Sequence, residues 1–192
     1  SLSPDGRMFV YTGVAADDPD LFLAATDDSS TATRIVDATG YDGGAVFSPD
    51  GSRIAWHGER PARDAAEGYA EKVKAGGVAL SGLRVFVAGS QGQHPREVGN
   101  IGRFNLTPTF TPDSRKLVFA SDYDEAESGD WDLYLIDPDG PVTTTGGPAV
   151  ERITFARGRD AWPSFSVDGS YLLFVSSRSG GHDLYVARWQ AD

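Results

Sequence analysis

The chain contains no cysteine, only three histidines and a minority of basic residues. The lack of cysteine excludes disulfides, thiolate metal sites and a cysteine nucleophile. The 28 acidic residues outnumber the 17 basic ones and give a net charge of −11. This charge argues against nucleic acid or an anionic membrane as a partner, because both require a basic surface.

Long apolar runs are also lacking. The longest run, Leu172-Leu173-Phe174-Val175, is far shorter than the roughly 20 residues that cross a bilayer, so no membrane insertion is expected. No signal peptide is present, but the chain starts at Ser1 inside a repeat, which is compatible with removal of an upstream segment.

Motifs that carry catalysis are missing as well. His57, His94 and His182 form no pair at i, i+4, and the chain has neither a Gly-x-Ser-x-Gly elbow nor a phosphate-binding Gly-x-x-x-x-Gly-Lys loop. The glycine pairs Gly43-Gly44 and Gly180-Gly181 are predicted to be turns. No catalytic residues are assigned, and the chain is predicted not to be an enzyme.

A repeated turn organises what is present. In Ser48-Pro49-Asp50-Gly51, Pro presets the first central φ, Asp bonds the nearby backbone and Gly takes the left-handed position. The turn recurs with its Asp at Asp5, Asp50, Asp113 and Asp168, at intervals of 45, 63 and 55 residues. This spacing, with two enlarged copies, is typical of propeller blades of four strands.

The strands around each turn align without gaps. The strand after the turn is apolar on both faces, as in Ile54-Ala55-Trp56 and Leu172-Leu173-Phe174, which predicts a sheet covered on both sides. The fold class is therefore all-β, a β-propeller of four-stranded antiparallel blades, with about four blades that belong to a larger ring. The first three units are predicted to have four strands and the last one three. The chain 1–192 is read as one domain with repeats at about 1–44, 45–107, 108–160 and 161–192.

Two loops are enlarged. Residues 57–82 are predicted to hold a short amphipathic helix with Ala62, Ala65, Tyr69 and Val73 on one face, either a cap over apolar surface or a lid or partner-binding element. The acidic loop 121–132 offers Asp122, Asp124 and Asp130 as weak candidates for Ca²⁺. Ala126 and Glu127 break the EF-hand pattern, so a solvated loop without a metal or other cofactor is the preferred interpretation.

The repeats resemble those of TolB-type propellers, a branch of the WD-repeat-like class. The resemblance is carried by Pro163-Ser164-Phe165-Ser166 with Asp183-Leu184-Tyr185-Val186, and by the matching Pro108–Asp113, Asp132–Leu135 and Glu151–Thr154. Ser114 replaces Gly, Val167 replaces Pro, and Arg84 stands where Asp20, Asp132 and Asp183 stand elsewhere. That repeated Asp is predicted to bond local backbone.

The resemblance implies a non-enzymatic platform for protein–protein interaction, in the periplasm or outside the cell. Loops at one mouth of the ring would bind the partner, with candidates at Tyr123, Glu125, Trp131, Trp162 and Arg178. Two alternatives stay open. One is the gating propeller of a prolyl-oligopeptidase-type peptidase, whose catalytic domain would lie elsewhere. The other is a glycan-binding or glycan-cleaving propeller, which would need two carboxylates across a cleft.

Overall fold

The structure is a computed structural model that describes residues 1–15, 18–61, 69, 71, 82–124, 128–140 and 149–190. These residues form four separate antiparallel sheets, and strands adjacent in sequence pair within each sheet. We call the sheets blades 1 to 4. The predicted fold class, an all-β propeller of antiparallel blades, is confirmed.

The blades have three, four, four and three strands. Blade 1 contains β1 (Met8–Ala15), β2 (Asp18–Ala25) and β3 (Thr33–Arg34), with a 3-10 turn at Ser29–Thr31. Blade 2 contains β4 (Asp42–Phe47), β5 (Arg53–Gly58), β6 (Arg84–Gly89) and β7 (Arg96–Gly99). Blade 3 contains β8 (Asn105–Phe110), β9 (Leu117–Ser121), β10 (Asp132–Ile136) and β11 (Val150–Arg152). Blade 4 contains β12 (Asp160–Phe165), β13 (Tyr171–Ser176) and β14 (Asp183–Arg188).

Blade 1 departs from the four strands predicted for it. Leu2 makes a single antiparallel bridge with Phe9 at the place where blades 2 to 4 have their first strand. The first strands of the later blades also begin one to three residues before the predicted boundaries, at Asp42, Asn105 and Asp160.

The predicted helical insertion starts later than expected, because His57 and Gly58 belong to β5. Tyr69 and Glu71 are the described residues between 62 and 81, and both are helical. Tyr69 is buried, and burial raises its pKa. The other predicted helix residues, Ala62, Ala65 and Val73, lie outside the described residues.

The repeated turns hold their shape through side-chain bonds to the backbone. In blade 2 the Ser48 hydroxyl donates to the Asp50 carboxylate at 2.6 Å, and the same carboxylate accepts from the Ser52 amide at 3.0 Å. These bonds lower the pKa of Asp50. The other three turns repeat the pattern. Ser114 takes the left-handed position, with φ 63°, that Gly51 takes with φ 72°.

Apolar clusters lie between successive blades. Trp56 stacks on Phe86 in the cluster between blades 1 and 2, and Phe119 contacts Tyr134 in the cluster between blades 2 and 3. A third cluster joins blades 3 and 4 around Leu133 and Phe174. The two faces of each inner blade are thus buried against neighbours, which explains the apolar columns in the sequence.

The end faces of the four-blade stack are apolar without such cover. On blade 1, Phe9, Tyr11 and Phe22 stack in a row at 5.3 and 5.7 Å. On blade 4, Leu184 and Val186 are exposed. Both faces resemble the buried inner faces in composition, as the prediction of a larger ring requires.

Ion pairs connect the last two strands in each of the first three blades. Asp20 pairs with Arg34 at 2.5 Å, and Asp132 pairs with Arg152 at 2.6 Å. Both carboxylates are buried, and desolvation raises the pKa of each to about 6. The prediction that this Asp bonds local backbone is therefore wrong for these two blades.

Blade 2 carries the same ion pair with its charges exchanged. Arg84 on the third strand donates to Glu97 on the fourth at 3.0 Å. This pairing explains why Arg84 stands where the other blades have Asp. Both of its side chains are about one-third exposed.

The different burial of these pairs leads to a stability prediction. Arg34→Met keeps most of the side-chain stem but leaves buried Asp20 uncompensated, so we expect a loss of about 3 kcal/mol in the free energy of unfolding at pH 7. The matched variant Arg84→Met removes an exposed pair and should cost at most about 1 kcal/mol. Urea unfolding measures both. The Arg34→Met deficit should shrink at pH 5, where Asp20 is protonated, and equal losses in the two variants would contradict the assignment.

Candidate functional site

One end of the blades gathers most of the residues predicted to bind a partner. We call it the loop face. It is the end at which the first strand of a blade begins, the second ends and the third begins, as the pairings Asn105↔Ser121 and Ser121↔Asp132 show in blade 3. The repeated turns lie at the opposite end, the turn face.

Backbone bonds join neighbouring blades at the loop face. The Asn105 amide donates to the Leu83 carbonyl at 3.1 Å, and the Asp160 amide donates to the Trp131 carbonyl at 2.7 Å. Short parallel bridges accompany them at Leu83↔Phe104 and Trp131↔Arg159. The loops of different blades are therefore held in a fixed arrangement.

Buried Asp–Arg pairs fix two of these loops. The Arg60 guanidinium donates to Asp42 at 2.7 Å in blade 2, and Arg178 donates to Asp160 at 2.6 Å in blade 4. In each pair the Asp opens the first strand and is fully buried. Arg178 also lies over the Tyr185 ring at 4.7 Å. The contacts of this predicted binding residue are thus directed into its own blade.

Blade 3 lacks this ion pair, which changes what it presents to solvent. Asn105 replaces the Asp, and its side-chain amide donates a second hydrogen bond to the Leu83 carbonyl, at 2.9 Å. Tyr123 stands where blades 2 and 4 have Arg60 and Arg178 and is 49% exposed. Its ring packs edge-on against Tyr134 at 6.1 Å.

Trp131 lies in a row of aromatic and cationic side chains on this face. Its ring centroid is 6.0 Å from that of Phe104, and the Arg159 guanidinium lies over it at 4.9 Å. The Arg103 guanidinium lies over the Phe104 ring, 5.5 Å from its centroid. Trp131 is only partly exposed. Glu125, the remaining predicted residue on this loop, lies outside the described residues.

Trp162 is the most exposed of the described candidates, with 57% of its surface accessible. It lies in a β-bulge of the first strand of blade 4 and has φ 54°. Equivalent bulges occur at Gly44, with φ 64°, and at Thr107, with φ 51°. The prediction of a turn at Gly43-Gly44 is wrong, because both residues lie within β4.

The bulges of blades 3 and 4 are bonded to each other. The Trp162 amide donates to the Thr107 hydroxyl at 3.2 Å. A left-handed φ is unfavourable for residues with a Cβ, and Thr and Trp keep it only when their surroundings impose it. The Trp162 backbone is therefore held in place while its ring extends into solvent.

The bulge in blade 2 is filled rather than exposed. A Cβ on Gly44 would lie 2.3 Å from Cε1 of His57, so the imidazole occupies the space that a side chain would need. The Tyr41 ring lies 5.8 Å from the imidazole ring. Burial lowers the pKa of His57 to about 4, so the imidazole is neutral at pH 7.

The three candidate metal ligands have separate partners. The Asp122 carboxylate accepts from the Phe104 amide at 2.9 Å, and Asp124 accepts from the Tyr134 hydroxyl at 2.8 Å. Asp130 accepts from the Gly158 amide at 2.6 Å. Within the described ranges, no three His, Cys, Asp or Glu side chains form a group that would hold a metal ion.

Sequence reasoning missed the basic side of this face. A cleft of about 510 Å³ opens between loops 128–130 and 157–159, and Arg157 and Arg159 line it. Neither arginine belongs to a repeat motif, so only the spatial approach of two loops brings them to attention.

Comparison with known proteins shows a β-propeller fold similar to that of TolB. No family model matches the chain. A TolB homolog from Chlorobium luteolum is 40% identical over 58 residues, which cover 30% of this chain and 12% of that protein. The crystal structure of TolB from Acinetobacter baumannii superposes with a TM-score of 0.70 over 97% of this chain, at 20% identity. The chain is similar to TolB in its β-propeller fold.

The likeness is partial in length. The chain covers 39% of the Acinetobacter TolB chain, so it spans well under half of the relatives described. Prolyl oligopeptidase B from Galerina marginata shares the fold with a TM-score of 0.64, at 12% identity and over 24% of its own length. That likeness concerns the propeller fold alone. In the described part of the TolB-like chain, no helix has the length and apolar character needed to cross a membrane.

The burial of His57 predicts a specific pH dependence. The unfolded state takes up a proton near pH 6.5 and the folded state only near pH 4. Stability from the neutral imidazole is therefore complete above pH 6.5 and is lost as the pH falls toward 4, by up to about 3 kcal/mol.

Urea unfolding of the parent and of His57→Phe at pH 7, 6, 5 and 4 measures this effect. The variant should lose less stability on acidification, since its ring does not titrate. Asp20 and Asp132 act in the opposite direction, because their raised pKa favours the folded state at low pH, but they are common to both proteins and cancel in the difference. Parallel curves would contradict the assignment.

Proposed function

We propose that this TolB-like propeller is a non-enzymatic scaffold that binds a protein partner at the loop face, with Trp162 as the anchor. The observation that carries the proposal is the large exposed ring of Trp162 on a backbone fixed by the Thr107 bond. An exposed Trp on a rigid backbone is a typical hot spot of protein interfaces, because little entropy is lost when it becomes buried.

Other exposed aromatic residues of blade 3 support this assignment. Tyr123 is 49% exposed beyond the end of β9, and Phe155 is 70% exposed beyond the end of β11. The Arg152 guanidinium lies over the Phe155 ring at 5.3 Å and orients it. Tyr and Trp combine a large apolar area with a polar group, which suits a surface that alternates between water and a partner.

The histidines give no support for hydrolytic catalysis. A Ser-His-Asp triad needs an imidazole oriented by a carboxylate. His57 is buried, and its Nδ1 has no hydrogen-bond partner in the described structure. A gating role in a prolyl-oligopeptidase-type peptidase stays the second candidate, since the likeness to such an enzyme concerns the fold alone. A hydrolase domain encoded beside these blades would favour it. The glycan hypothesis stays a prediction without a specific observation in its favour.

The TolB-like character also supports a location in the periplasm or outside the cell, which we include in the proposal. The net charge of −11 remains unsuited to nucleic acid, so a protein is the partner that we propose. Sequencing the DNA on both sides of the coding region tests the location through the presence of a signal peptide.

Site-specific photo-cross-linking tests the scaffold proposal. Benzoylphenylalanine replaces Trp162 in one variant and Val167 in a control, because Val167 is fully exposed but belongs to the turn face. In an extract of the source organism, we expect a protein adduct from position 162 and none from position 167. With the captured partner purified, Trp162→Ala should weaken binding at least tenfold without lowering the melting temperature. Absence of an adduct at 162, or equal adducts at both positions, would overturn the proposal.

A further inference from the structure

The cleft between loops 128–130 and 157–159 has a basic lining in an acidic protein. Among the described residues, seven arginines form ion pairs with carboxylates: Arg34, Arg53, Arg60, Arg84, Arg96, Arg152 and Arg178. Arg157 and Arg159 line the cleft and form no ion pair with any described residue. Four other described arginines, Arg7, Arg103, Arg115 and Arg188, also form no ion pair with a described carboxylate. Arg157 and Arg159 differ because they lie together in one concave site, and this arrangement indicates a site for an external anion.

Arg159 is fixed before any ligand arrives. Its Nε donates to the Gly129 carbonyl at 3.1 Å, and its guanidinium lies over Trp131. Its backbone amide donates to the Ser177 hydroxyl at 2.7 Å. These contacts leave the terminal guanidinium nitrogens as the donors available to a ligand. A cation already held in its binding geometry loses little entropy on binding.

The walls of the cleft are equally constrained. Gly158 has φ 115°, and a Cβ on it would lie 2.8 Å from the Arg178 amide nitrogen, so only glycine fits there. Its amide donates to Asp130 at 2.6 Å, which joins the two loops across the cleft. The same contact brings one negative charge into the site, so that Arg157, Arg159 and Asp130 together carry about one positive charge.

We infer that this cleft binds a carboxylate of the protein partner, either an Asp or Glu side chain or a chain terminus. The planar fork of a guanidinium matches a carboxylate with two parallel hydrogen bonds. A net charge of one suits a singly charged carboxylate better than a doubly charged phosphate. The volume of about 510 Å³ accommodates a side chain with its flanking backbone. The inference rests on the proposed function and specifies the chemistry of the partner.

NMR titration of the isotope-labelled protein tests the carboxylate site with five defined probes. Acetyl-Ala-Ala-Glu-Ala-Ala-amide presents a side-chain carboxylate, and acetyl-penta-alanine acid presents a terminal one. The Gln analogue of the first peptide is the neutral control, and its phosphoserine analogue is the dianionic control. Digalacturonate represents an acidic glycan. We expect one or both carboxylate peptides to shift the Gly129, Gly158 and Arg159 signals and to bind at least tenfold more tightly than the Gln peptide. Their affinity should fall as the NaCl concentration rises.

Variants assign the effect to the cleft. Arg157→Gln should weaken binding of the carboxylate peptide at least tenfold, whereas Arg115→Gln, which changes an exposed arginine on the turn face, should change it less than twofold. The inference is overturned if the Gln peptide binds equally, if only the phosphopeptide or only digalacturonate binds, if neither carboxylate peptide shifts the cleft signals at 10 mM, or if Arg157→Gln has no effect. Cross-linking at position 162 is independent of these arginines, so a partner captured there with no carboxylate binding would reject the cleft and retain the scaffold.

Discussion

Each inner blade must bury apolar side chains on both of its faces at once, and the rest of the structure depends on this constraint. Ala55 faces one intersheet cluster and Trp56 the other, so a single strand contributes to two cores. A sheet buried on both faces has only its ends left for polar groups. Charged side chains accordingly collect at the two ends of the blades, with the turn carboxylates at the turn face and the exposed aromatic residues Tyr123 and Trp162 at the loop face. The location of the candidate site is thus a consequence of how the blades pack.

The architecture could be predicted from the sequence because it is repeated. The turn around Asp50 has a local physical cause, and four aligned copies of the following strand make an accidental pattern implausible. Where one copy of the repeat differs from the others, the residues adjacent in sequence no longer predict its backbone conformation. Gly43-Gly44 suggests a turn by composition, but His57 from the next strand fills the space beside Gly44 and the pair becomes a bulge. The contact that decides this conformation is made across the sheet, and no rule for adjacent residues contains it.

The candidate site was predictable in part for the same reason. Tyr123, Trp131 and Trp162 are large aromatic residues near strand ends, and the structure places them at one end of blades 3 and 4. Arg178 has the same kind of position in the sequence, but a buried Asp160 engages it. Arg157 and Arg159 escaped notice because they form a cleft only with loop 128–130, which is distant in the sequence. The approach of the two loops is visible only in three dimensions.

The exchanged ion pair of blade 2 has a consequence for folding. Chains built of similar repeats are prone to pairing a strand of one repeat with the sheet of another. If the last strand of blade 1 or blade 3 were to add to blade 2, Arg34 or Arg152 would face Arg84, and the buried Asp20 or Asp132 would lose its cation. The true fourth strand presents Glu97 instead. Because the charges of the pair are exchanged in blade 2, its third strand repels the last strands of blades 1 and 3. Pairing of a strand with the wrong blade is therefore disfavoured.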